Sequence, residues 1–192
     1  MSERPRLFVA CELSAEIKQA LAQMQAELRG CGLHRLRWVR PEGVHLTLKF
    51  LGETAAEKVP SIQEAVAAAC RDSRSFAFSL GETGTFGDRR GPRVAWVGLS
   101  GEVEAIVELQ ERLESSLARQ GFPREERPFS PHLTLARVPR EIMGPEGPKI
   151  LAAVEAVAVP TVAQRATEVS LMRSILGASG ALYQRVAAWP LR

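Results

Sequence analysis

The sequence predicts an α+β protein of two lobes with antiparallel sheets, and three observations carry that expectation. Helical and strand periodicities are mixed along the chain without regular strand–helix alternation, which disfavours a parallel sheet. A tetrapeptide occurs twice, as His45-Leu46-Thr47-Leu48 and as His132-Leu133-Thr134-Leu135. Each copy ends a unit of helix, connection and strand, at residues 14–48 and again at residues 102–135, about half the chain apart. Such a repeat implies a pseudo-two-fold relation with a site between the halves, so two lobes are expected to face each other across a cleft.

The elements follow in order. Residues 7–12 read as an opening strand. Ser14 is a good helix N-cap with Glu16 in the first turn, and Ile17, Leu21, Met24 and Leu28 form a helical stripe that ends at Gly30. Residues 36–39 and 45–51 read as strands. A helix begins near Pro60, where proline is tolerated in a first turn, with Ile62, Val66 and Ala69 inward. Phe76, Phe78 and Leu80 alternate with small residues as in a half-buried strand, and residues 94–99 form another. Residues 81–92 between them, rich in glycine, read as a long mobile loop. Val103, Ile106, Leu109, Leu113 and Leu117 mark a third long helix stopped by Gly121. The second His string is a strand, residues 148–157 a short helix, and residues 168–188 a hairpin turning at Gly177-Ala178-Ser179-Gly180.

Composition sets limits. At 192 residues, 45% apolar and 24% charged, the chain reads as one soluble domain of two lobes over residues 1–192. No stretch has the roughly 18 to 20 apolar residues that span a bilayer, and no signal-peptide pattern is visible, so a cytoplasmic location and no membrane partner are expected. Three cysteines (Cys11, Cys31, Cys70) without metal spacing read as buried free thiols. The net charge of +3 permits an anionic partner. Arginines crowd two places: Arg89, Arg90 and Arg93 in the glycine-rich segment, and Arg124, Arg127 and Arg137 around the second string.

The duplicated string carries the chemistry. Two of the three histidines head its two copies. In a strand, alternate residues share a face, so each copy sends two leucines to a core and an imidazole plus a hydroxyl to a cleft. Near neutral pH one imidazole can accept a proton while another donates one. Attack on phosphorus with expulsion of an oxygen needs both transfers, and Thr47 and Thr134 would donate hydrogen bonds to the non-bridging oxygens. A catalytic zinc usually takes three protein ligands, which neither string supplies, so no metal is expected. Neither a Gly-x-Ser-x-Gly elbow nor a triphosphate-binding glycine loop is present.

These residues resemble the 2H phosphoesterase superfamily, and more closely its bacterial and archaeal RNA 2′,3′-cyclic phosphodiesterases, formerly called 2′-5′ RNA ligases. The matching segments are Arg6-Leu7-Phe8-Val9-Ala10, Trp38 to Glu42 running through His45 to Gly52, Pro92 to Gly98, and Phe129 to Arg137, with a looser match at Leu171 to Ser174, Gly180 and Tyr183. The resemblance covers essentially the whole chain. It implies a bilobal fold with helices outside and both strings in a central cleft. It also implies cofactor-free and metal-independent hydrolysis of RNA 2′,3′-cyclic phosphate ends, or of small cyclic nucleotides, to 2′-phosphomonoesters. On the same basis His45 is the proton donor and His132 the proton acceptor, roles that spacing alone cannot assign. The alternative is ATP-independent 2′-5′ ligation of tRNA half-molecules. A monomer is expected.

Further substrate-binding residues follow from alternation and resemblance. Lys49 continues the alternation of His45 and Thr47 and is expected in the cleft on phosphate. Strict alternation turns Arg137 away from His132, yet the resemblance makes it a phosphate contact, which a bulge could reconcile. Phe50 is expected in the core with the leucines. Phe129, Trp38 and Phe86 are candidates for stacking on a base, against the simpler reading that they are packing residues.

Overall fold

The structure is a computed structural model, and it describes residues 4–177 and 180–192. Its strands are β1 (Arg6–Cys11), β2 (Arg37–Trp38), β3 (Leu46–Glu53), β4 (Phe76–Asp88), β5 (Gly91–Gly101), β6 (His132–Arg137), β7 (Ala163–Ala166), β8 (Glu168–Gly177) and β9 (Gly180–Pro190). The helices are α1 (Ala15–Gly30), α2 (Val59–Arg71), α3 (Val103–Arg119), α4 (Arg140–Met143) and α5 (Gly147–Ala156). Two antiparallel sheets form, in the orders β3-β1-β8-β9 and β2-β6-β5-β4-β7. The expected α+β architecture of two facing sheets is what the chain adopts.

The long helices arise where the apolar stripes lie. The Ser14 hydroxyl accepts the Ile17 amide at 3.3 Å, which caps α1, and Ile17, Leu21, Met24 and Leu28 are buried beneath it. One continuous core contains these residues together with Leu7, Val9, Leu46 and Leu48 of the first sheet and Val97, Leu133 and Leu135 of the second. Both pairs of string leucines are therefore core residues, each worth roughly 1.5–3 kcal/mol of burial. The run Leu7-Phe8-Val9-Ala10 is apolar on both sides because its strand is covered on both faces. Leu7 and Val9 join the main core, whereas Phe8 and Ala10 form a small cluster with Met172 on the opposite, cleft-facing side.

Several expectations need correction. Residues 81–92 are not a long loop: β4 and β5 run through them as one hairpin, and only Arg89 and Arg90 lie between the strands. The glycines serve close approach. A Cβ on Gly84 would meet the Trp96 ring at 2.5 Å, and Gly91, at φ +124°, turns the tip against the Met143 carbonyl. β7 and α4 lacked an apolar stripe long enough to be read. Cys31 is exposed, while Cys11 and Cys70 are buried as expected; burial pushes the Cys70 thiol up to about 12. Two residues of the 177–180 turn, 178 and 179, lie outside the described residues. No described helix is long and apolar enough to cross a membrane.

Candidate active site

A cavity of about 820 Å³ lies between the sheets, and His45, Thr47, His132 and Thr134 all line it. The two histidines are held in matching ways. His132 Nδ1 lies 2.7 Å from the Ser130 carbonyl, and the Gly43 carbonyl accepts a hydrogen bond from His45. Each imidazole thus bonds the carbonyl two residues before it. A carbonyl can only accept, so Nδ1 of His132 carries the proton and Nε2 is left to exchange protons with a substrate.

Aromatic rings fix each imidazole edge-on. His45 is T-shaped to Tyr183 at 5.1 Å and to Phe8 at 5.7 Å. His132 is T-shaped to Phe86 at 4.8 Å, with Trp96 at 6.4 Å. Burial depresses the His45 pKa below the ordinary imidazole range and Lys18 adds to this, against the opposing effects of the Gly43 carbonyl and the Glu12 carboxylate. Burial also works against ionisation of Glu12. Hydrogen bonds from Arg185 (2.6 Å) and the Ser170 hydroxyl (2.9 Å) outweigh it and hold that carboxyl below its usual range, so Glu12 stays negative near His45. Among the described residues, neither Thr47 nor Thr134 has a hydrogen-bond partner for its hydroxyl.

Beyond each threonine the strand changes register, and this decides the remaining lining. In β3, Thr47 pairs with Ala10 but Lys49 pairs with Val9, leaving Leu48 as an extra residue. In β6, Thr134 pairs with Trp96 but Ala136 pairs with Ala95, leaving Leu135 as the extra residue. The bulges sit at the same place in both copies, and each reverses the alternation beyond it. Arg137 is thereby turned to the cleft, opposite Val94, and lines the cavity. The conflict noted for Arg137 is resolved by a bulge one residue before Ala136.

The same reversal changes the picture for two residues of the first copy. Lys49 lines the cavity, but its strand position is opposite Val9 on the core side and does not share the face of His45 and Thr47. It is only 8% exposed, and its ammonium lies 2.9 Å from Glu114 and 2.8 Å from the Pro123 carbonyl. Phe50 is not a core residue: it is 69% exposed, lines the cavity, and tilts against Phe8 at 6.1 Å. Phe50 stands five residues after His45, as Arg137 stands five after His132. The two halves thus present an aromatic ring and a guanidinium at equivalent positions.

The second bulge has a dedicated support. Gln25 of α1 is 1% exposed, and its amide donates to the carbonyls of Val39 (2.7 Å) and Leu135 (2.9 Å). An interior glutamine among the apolar positions of α1 was the one sequence signal for this contact. Phe129 and Phe86 line the cavity, as does Arg127. Trp38 does not; it packs against the core with Arg29 over its ring at 4.6 Å. Arg93 is paired with Asp88 at 2.6 Å, and Arg124 donates to Ser115 at 2.7 Å. Of the aromatic rings that line the cavity, Phe8, Tyr183 and Phe50 are those that reading by alternation did not single out. Among the described residues no three His, Cys, Asp or Glu groups come together to hold a metal.

The family model described as LigT like phosphoesterase matches the chain twice, over residues 12–96 and 97–183, so each match contains one His string. A Methanothermobacter thermautotrophicus protein named RNA 2′,3′-cyclic phosphodiesterase is 33% identical over 180 residues, 93% of this chain and 94% of the relative. A protein of the same name from Geobacillus stearothermophilus is 36% identical over 135 residues, 70% of this chain. That match spans 42% of the Geobacillus protein, less than half its length. Among solved structures, Escherichia coli LigT complexed with 3′-AMP superposes with a TM-score of 0.76 at 30% identity, covering 98% of this chain and 99% of that one.

Proposed function

The chain belongs to the LigT-like phosphoesterase family, and from that premise we propose that it hydrolyses RNA 2′,3′-cyclic phosphate ends to 2′-phosphomonoesters by metal-independent proton transfer between two histidines. One observation carries this reading: two imidazoles, each bonded to the backbone carbonyl two residues before it and each followed two residues later by a threonine, line one cavity. His132 takes a proton from water as its oxygen attacks phosphorus. His45 gives a proton to the 3′-oxygen as the P–O3′ bond breaks. The two histidines then exchange protons with solvent and return to their starting states. Thr47 and Thr134 donate to the non-bridging oxygens, and Arg137 balances their charge as it accumulates. Burial lowers the His45 pKa, and the Gly43 carbonyl and the Glu12 carboxylate oppose it in part, toward the protonated form that this direction needs. Ligation would use the same transfers with the 5′-hydroxyl of a second RNA in place of water: its oxygen attacks the cyclic phosphate, the P–O3′ bond breaks, and a 2′-5′ linkage forms.

Product analysis tests the proposal. An RNA ending in a 2′,3′-cyclic phosphate, incubated with the protein in excess chelator, is expected to yield a 2′-phosphate. A 3′-phosphate product, or activity that disappears with chelator and returns with a divalent ion, would overturn it.

In this reading Phe50 is the surface on which the terminal base stacks, with Phe129 at the same cavity. Stacking of a base on an aromatic ring is worth about 1–3 kcal/mol. Phe50→Ala is therefore expected to raise KM for a cyclic nucleotide about tenfold while changing kcat little, since the ring touches the base and not the reacting atoms. Its melting temperature should stay close to that of the parent because the ring is largely exposed. An unchanged KM would remove Phe50 from the site.

A further inference from the structure

Arg37 and Arg137 are direct partners in the β2–β6 ladder. Residues directly opposite in an antiparallel pair point to the same side, and like charges in that position repel. Both side chains are exposed, and among the described residues neither has a carboxylate to neutralise it. Five other exposed arginines do have one. Arg35, Arg74, Arg93, Arg165 and Arg185 each have an acidic partner between 2.6 and 3.5 Å. Two facing guanidiniums without counter-charge cost stability, and an anion lying between them would remove that cost.

The position says which anion fits. Arg137 lines the cavity at the far end of the strand that begins with His132, and Arg37 lies one strand further out, on the sheet edge. Trp38, the next residue of β2, faces the core with Ala136, so Arg37 projects from the cleft side of the sheet. Resting on the phosphodiesterase reading above, we infer that Arg37 and Arg137 together form a second anion site, which takes the phosphodiester next upstream of the cyclic end in an RNA strand. Arg137 contacts both phosphates or bridges them, while Arg37 touches only the upstream one. The fork of each guanidinium can bind non-bridging oxygens in pairs. The site would therefore distinguish an RNA strand from a cyclic mononucleotide, which has no upstream phosphate.

Steady-state kinetics on a 2′,3′-cyclic mononucleotide and on a trinucleotide with the same cyclic end test the inference. The parent protein is expected to prefer the trinucleotide in kcat/KM, and Arg37→Gln to reduce that preference about tenfold. The slope of log kcat/KM for the trinucleotide against log salt should become shallower by about 0.7 in the variant, as for one lost phosphate contact to a single strand. Arg37→Gln should melt no lower than the parent, because it removes a like-charge pair. A parent without trinucleotide preference, or a variant that keeps it or loses both activities equally, overturns the inference. If the parent turns over neither substrate, the phosphodiesterase reading itself fails, and this site falls with it.

Discussion

Replacement of His132 by alanine is expected to lower kcat on a 2′,3′-cyclic nucleotide by about 10²–10⁴-fold, the usual contribution of one positioned proton-transfer group. His45→Ala should lose a similar factor. Removing both should cost far less than the product of the two, since the groups act on one transition state. The pH profiles of the residual activities separate the roles. A proton donor must be protonated, so the limb set by His45 is a loss of rate as pH rises through its pKa. Burial places that pKa below the ordinary imidazole range. A proton acceptor must be neutral, so the limb set by His132 is a loss of rate as pH falls. His45→Ala should accordingly abolish the alkaline limb and His132→Ala the acidic one. The opposite assignment of limbs would exchange the two roles, and full activity in either variant would sink the mechanism.

The largest expected effect on stability belongs to Lys49. The Glu114 carboxylate receives the Lys49 ammonium, the Gln110 amide at 3.2 Å and the Glu125 backbone amide at 3.2 Å, all at a nearly buried site. Lys49→Met keeps the length of the side chain but leaves Glu114 buried without a counter-charge. Breaking a buried pair from one side typically costs about 3–5 kcal/mol, and a protein of this size loses about 2–4 °C of melting temperature per kcal/mol. A fall of about 10 °C is therefore expected. The double variant Lys49→Met with Glu114→Gln should recover most of it, because no unpaired charge remains. The Pro123 and Glu125 contacts tie the same pair to the segment that leads into His132, so the single variant should also lower kcat. An unchanged melting temperature together with a raised KM would mean that the ammonium works in the cleft on phosphate instead.

These two predictions also mark where sequence reading succeeds and where it stops. The histidines, the threonines and the four string leucines were legible because alternation holds over those first four residues: the leucines are in the core and the other four side chains line one cavity. The helices were legible because their apolar stripes and caps are local signals. Gln25 was missed because its partners, the carbonyls of Val39 and Leu135, lie in distant parts of the chain. The 81–92 segment was misread because its glycines looked like flexibility. In the sheet, Gly84 instead makes room for Trp96.

By itself, then, the sequence determined the α+β class, the duplicated His-x-Thr strands and the chemical character of the cleft. Only the tertiary structure decided which residues surround the two strings. A bulge is a mismatch between two paired strands, so the periodicity of one strand carries no record of it. At Leu48 it sends Lys49 inward and Phe50 out to the cavity, and at Leu135 it aims Arg137 into the cleft beside Arg37. Those positions were fixed by β1, β2 and β5, the neighbours against which the two strings pair.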